Sequence, residues 1–171
     1  LPLITFYRKH QPWMWRCHID LSSPNPELLD YLKSFMIAYD QNIFQMDEFA
    51  AKGVSGDYKI IRPSIDPLSV KNRDLNEDIV EKYLKRFGID PDRPIISQIS
   101  RFDNFKDPLG VLEVFKKVKK EIDCQLVMVG SMATDDPEGQ EIYDKTRREA
   151  NGTDDVTIIA DAHDVVVNAV Q

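Results

Sequence analysis

From residue 94 onward the chain alternates between two hydrophobic periods, and this alternation restricts its architecture more than any other feature. Strand-like apolar runs at 94–100, 125–130 and 155–160 are separated by helical patterns at 108–121, 137–150 and 163–171. Strands joined through helices give a parallel sheet with right-handed crossovers, so the fold class is α/β. The preceding part reads the same way in shorter pieces. A helix end over 1–10 is followed by a β-rich run over 13–20, a helix over 26–40, a strand over 42–46, a helical piece over 47–52 and a strand over 58–63.

The two blocks are divided by proline and charge. Pro63 and Pro67 bracket Ser64-Ile65-Asp66, a stiff turn that closes a first domain over 1–68. Residues 69–78 are a charged linker containing Lys71, Asn72, Arg73, Asp74, Asn76 and Glu77. A helix over 77–88, stopped by Gly88, opens a second domain over 79–171.

The composition, with 42% hydrophobic and 30% charged residues, is that of a soluble globular protein. A net charge of −7 without a long basic run argues against nucleic acid or an anionic membrane surface as partner. No apolar run approaches the ~20 residues that span a bilayer. The first residues lack the pattern of a signal peptide. Cys17 and Cys124 each sit in an apolar run, which reads as two buried free thiols in a cytoplasmic protein.

Candidate site residues cluster at strand ends. Arg101 and Lys106 lie in the polar turn between the 94–100 strand and the 108–121 helix, with Asp107 as N-cap and Pro108 at the first helical position. At the carboxyl end of a parallel strand, a guanidinium fork, an ammonium group and free helix N–H groups can converge on a diphosphate. Solvated surface charge is the commoner meaning of such a pair, and spacing alone leaves both readings open. Gly130-Ser131 ends the next strand and permits close backbone approach. In the first block Arg16, His18 and Asp20 alternate along the 13–20 run and so are expected on one strand face. A lone histidine in an apolar run is more often a hydrogen-bonded structural residue than a catalytic one. There is no GxGxxG, no P-loop motif and no ligand spacing for a metal; His10, His18 and His163 are scattered.

Five segments carry a resemblance: WRCHIDLSSPN (15–25), PSIDPLS (63–69), SRFDNFKD (100–107), VGSMATDDPEG (129–139) and NAVQ (168–171). Together they resemble the retaining GT-B glycosyltransferases of family 4, and within them the trehalose synthase subgroup of the glycosyltransferring type. The resemblance implies parts of two Rossmann-like domains. Residues 1–68 would be the C-terminal part of the first, acceptor-side domain, and 79–171 the N-terminal half of the second, nucleotide-sugar-binding domain. It implies that Arg101 and Lys106 bind the donor diphosphate, that Gly130 lies beside the nucleotide, and that His18 faces the donor sugar as the catalytic histidine. Arg16 and Asp20 would face the glucose units. The implied substrates are a nucleotide-diphosphate glucose with glucose or trehalose; no metal or other cofactor is expected.

A glycine usually follows the lysine of this turn in the family; here Asp107 stands there, either to repel a phosphate or to cap the helix. The chain resembles a middle fragment, with the family's E-x7-E motif expected beyond Gln171, so the 171 residues alone are expected to be inactive. A truncated sheet of this kind would self-associate or form a homodimer. The rival readings are a trehalose phosphorylase of the same superfamily and a catalytically silent nucleotide-binding fragment.

Overall fold

The computed structural model describes residues 2–51, 53, 58–131 and 137–171, and the backbone gathers into two units, Leu1–Ile65 and Asp66–Gln171. The first contains α1 (Ile4–Tyr7), β1 (Met14–Arg16), α2 (Pro26–Met36), β2 (Gln41–Phe44) and β3 (Tyr58–Ile60), with a 3₁₀ turn at Asp47–Phe49. The strands are parallel in the order β1-β2-β3, with Trp15 opposite Asn42 and Asn42 opposite Tyr58. α2 starts where its sequence dictates: the Asn25 side chain accepts a 3.0 Å bond from the Leu28 N–H, and Pro26 occupies the first turn. Its apolar face buries Leu29 and Met36 against Cys17 and Phe44.

The first unit's elements are shorter than hydrophobic pattern alone suggests. The run at 13–20 forms a strand only over Met14–Arg16, an edge strand whose one ladder partner, β2, is itself four residues long. Cys17 N–H still donates to Ile43 O at 2.9 Å, after which Asp20 accepts from the Ser22 N–H at 2.8 Å and turns the chain. His18 and Asp20 therefore lie outside the strand, and the expected common strand face with Arg16 does not form.

The second unit is built from α3 (Glu77–Arg86), β4 (Ile95–Ile99), α4 (Pro108–Val118), β5 (Gln125–Gly130), α5 (Pro137–Ala150), β6 (Val156–Ala160) and α6 (Asp164–Val170). Its sheet is parallel in the order β4-β5-β6, and β5 is buried along its whole length, as an unbroken QLVMVG run requires of a central strand. Leu126 and Met128 pack with Leu112 and Phe115 of α4 on one face, with Ala150 of α5 against them. Val127 and Val129 pack with Leu84 of α3 and Val166, Val167 and Val170 of α6 on the other. The period of two along β5 thus produces a three-layer arrangement. α4 and α5 lie on one face as the strands step from β4 to β6, and α6 then crosses to the opposite face. Ligands of open α/β sheets bind outside the carboxyl ends of the strands, which here are the ends of β4, β5 and β6.

The segment before α3 is fastened to this unit, since Asn168 Nδ2 donates to both Val70 O and Arg73 O at 2.7 Å. At the amino ends of the strands, Arg93 pairs with Asp123 (2.6 Å) and Asp155 (2.7 Å), and Lys119 pairs with the same two carboxylates at 2.7 Å. Cys17 and Cys124 are both buried and unpaired. Among the described residues no helix is long and apolar enough to cross a membrane.

Candidate functional site

The site begins where the chain leaves β4. Ser100 N–H prolongs the ladder to Val129 O at 3.0 Å, and the chain then turns through Phe102 and Asp103 into a 3₁₀ turn at Asn104–Lys106. Three contacts fix this turn. The buried Phe102 ring lies across Gly130 and meets Tyr143 edge-on, with centroids 5.0 Å apart. Gln98 Nε2 donates to Lys106 O at 2.6 Å. Asp103 accepts from the Lys106 N–H at 3.0 Å through Oδ1, while its Oδ2 lies 3.2 Å from Arg101 Nη2.

Gly130 is required here by packing. A β-carbon on it would lie 2.6 Å from Ser100 O and 2.7 Å from Phe102 Cδ2. Asp107 has φ 46° and ψ 55°, the left-handed region that favours glycine, and its Oδ1 accepts from the Gly110 N–H at 3.0 Å. It therefore caps α4. The helix N-terminus carries a carboxylate of its own, so free N–H groups of α4 are fewer than the sequence pattern suggests.

A cavity of about 360 Å³ opens at the carboxyl ends of β4 and β5, with Ser100, Arg101, Gly130, Ser131, Lys71 and Asp164 in its wall. Arg101 is 60% exposed in its side chain despite the contact with Asp103. Lys71 Nζ stands 3.2 Å from Asp164 Oδ1 across the cavity wall. Lys106 is not part of the lining, and its ammonium has no ion-pair partner among the described residues. Arg101 and Gly130 are thus brought together, with Lys106 tied to them through the turn. A larger recess of about 620 Å³ flanks α5 and β6 near Arg147 and Arg148, but it lies away from the strand ends.

The other sequence candidates sit in the first unit. Arg16 Nη2 donates to Ile61 O at 3.3 Å, and His18 is exposed, its carbonyl accepting from Gln45 Nε2 at 2.7 Å. The Asp20 carboxyl is held below its ordinary value by the hydrogen bonds from Ser22. No group of three or more His, Cys, Asp or Glu side chains is placed to hold a metal ion among the described residues. Asp103, Gln98 and Lys71 escape the sequence analysis. For Asp103 a signal was present: an acidic residue three positions before Lys106, at the start of a short helical turn, is capping chemistry.

The family described as "Trehalose synthase, N-terminal domain" matches residues 1–51. The trehalose synthase of Thermococcus litoralis is 46% identical over 175 residues, spanning 99% of this chain and 42% of the relative. That of Rubrobacter xylanophilus is 45% identical over 164 residues, spanning 93% of this chain and 39% of the relative. The chain is similar to these trehalose synthases along nearly its whole length. It spans 42% of the length of the first of these curated relatives. Among solved structures, α,α-trehalose 6-phosphate synthase from Burkholderia multivorans superposes with a TM-score of 0.63 at 18% identity, covering 90% of this chain and 42% of that one. Sucrose-phosphate synthase from Thermosynechococcus elongatus gives 0.64 at 15% identity, covering 98% and 44%. These likenesses show the fold alone: the chain has the parallel-sheet α/β fold of GT-B structures.

Proposed function

We propose that this chain works as part of a retaining glycosyltransferase that makes trehalose, reversibly, from a nucleotide-diphosphate glucose and glucose. One observation carries the reading: a turn built around Arg101 lines a cavity at the carboxyl ends of a parallel sheet, in a chain similar to proteins named trehalose synthase. Arg101 and Lys106 take the donor diphosphate, and the Gly130 backbone lies beside the nucleotide. In the transfer, the bond from the anomeric carbon to the diphosphate oxygen breaks and a bond to the acceptor glucose oxygen forms on the same face. The acceptor hydroxyl proton leaves with the departing nucleotide. The two cations stabilise negative charge on that leaving group, where preorganised charge acts most strongly. His18 contacts the donor sugar and Arg16 and Asp20 the glucose units; no protein nucleophile is assigned. The chain acts in the cytoplasm, in a self-associating protein.

The test is glucosyl transfer to glucose by the natural polypeptide that carries this sequence, with UDP-, ADP- and GDP-glucose as donors. Trehalose formation that persists in EDTA and falls in Arg101→Ala, Lys106→Ala and His18→Ala supports the reading. Trehalose cleavage that needs inorganic phosphate and releases glucose 1-phosphate would replace it with a phosphorylase.

A further inference from the structure

We propose that Asp103 is a positioning residue that sets Arg101 and Lys106 for the donor diphosphate, an inference that rests on the reading of this turn as the diphosphate site. A carboxylate beside an anion site is at first sight a defect, since it repels the ligand. Asp103 is nevertheless only 6% exposed, and a buried carboxylate is kept only where its oxygens are satisfied. Both are. One oxygen accepts from the Lys106 N–H at 3.0 Å and the other faces Arg101 Nη2 at 3.2 Å. The same side chain therefore fixes the backbone that carries the lysine and the guanidinium that lines the cavity.

The arrangement reduces the freedom that each cation would otherwise lose on binding. Arg101 is largely exposed and, unpaired, would sample many rotamers; ordering such a side chain weakens association. Its guanidinium has five N–H donors, and contact with one carboxylate oxygen leaves most of the fork for a phosphate. Gln98 supports the turn from beneath by donating to the carbonyl of the same lysine whose N–H Asp103 accepts. A carboxylate that only repelled, or one that only capped, would not need both partners.

The two contributions can be separated. Asp103→Asn keeps an N-cap acceptor while removing the charge, and Asp103→Ser is a second uncharged cap. Binding of ADP, UDP and inorganic pyrophosphate to the natural polypeptide is measured for these variants, for Arg101→Ala, and for Arg101→Ala combined with Asp103→Asn. The expected result is a loss of about tenfold in diphosphate affinity for Asp103→Asn and Asp103→Ser. The same Asp103→Asn change should have no further effect in the Arg101→Ala background, because its action passes through Arg101. Unchanged or tighter binding in the uncharged variants, or an equal loss in both backgrounds, would overturn the positioning role while leaving the diphosphate site standing. No binding of any diphosphate by the unmutated polypeptide would overturn the site reading and this inference with it.

Discussion

The Phe102 ring fills the space that any side chain at Gly130 would need. β5 therefore ends in glycine because the turn after β4 folds across it. A methyl group at that position meets both a buried ring and the backbone oxygen of Ser100, and the backbone cannot rotate away as a long side chain would. Gly130→Ala should destabilise the second unit by about 1–3 kcal/mol, the usual effect of overpacking. A lowered midpoint in urea is the measurement; an unchanged midpoint would show that the turn moves freely.

Asp107 combines a left-handed backbone with a helix cap. Glycine there would relieve the backbone while losing the side-chain cap, and a glycine cap costs only a few tenths of a kcal/mol. Asp107→Gly should therefore be nearly neutral. Asp107→Ala loses the cap and keeps the unfavourable φ, and should cost about 1–2 kcal/mol. Thermal melts of the two variants decide it, and equal losses would contradict this account.

The ion pairs at the amino ends of the strands predict a pH dependence. Hydrogen bonds from Arg93 and then Lys119 hold the Asp155 carboxyl well below the ordinary range, and Lys119 and Arg93 lower Asp123. A carboxylate whose folded value is depressed contributes stability above its unfolded value, near pH ~4, and loses it as pH falls toward the folded value. Asp155 adopts φ 62°, which asparagine also tolerates, so Asp155→Asn removes charge with little backbone change. At pH 7 the variant should melt lower than the parent, and below about pH 4 the gap should narrow, because the carboxyl of the unfolded parent takes up a proton while the folded one is still ionised. A gap that widens on acidification would refute the assignment.

Local chemistry was legible in the sequence where one segment suffices to determine it. The QLVMVG run is the buried central strand, Asp107-Pro108 starts α4, and Gly88 adopts φ 72° just past α3. What depends on distant partners was not. β1 stops at Arg16 because its one ladder partner, β2, is short, although the residues through Asp20 would suit a strand. Lys71 reads as linker charge, yet it joins the cavity wall while Asn168, 98 residues beyond Val70, holds the local backbone. Arg101 could be singled out from its strand-end position, whereas Asp103 gains its meaning only when the turn closes and both carboxylate oxygens find partners.

The most direct measurement is calorimetric titration of the natural polypeptide with UDP, ADP and GDP, beside Arg101→Ala and Lys106→Ala. The account predicts that at least one nucleotide binds and that affinity falls about 10- to 100-fold when Arg101 is truncated, the range for a lost charge-assisted hydrogen bond. Lys106→Ala should weaken the same nucleotide. Undiminished binding in both variants would place the diphosphate elsewhere and contradict the central claim.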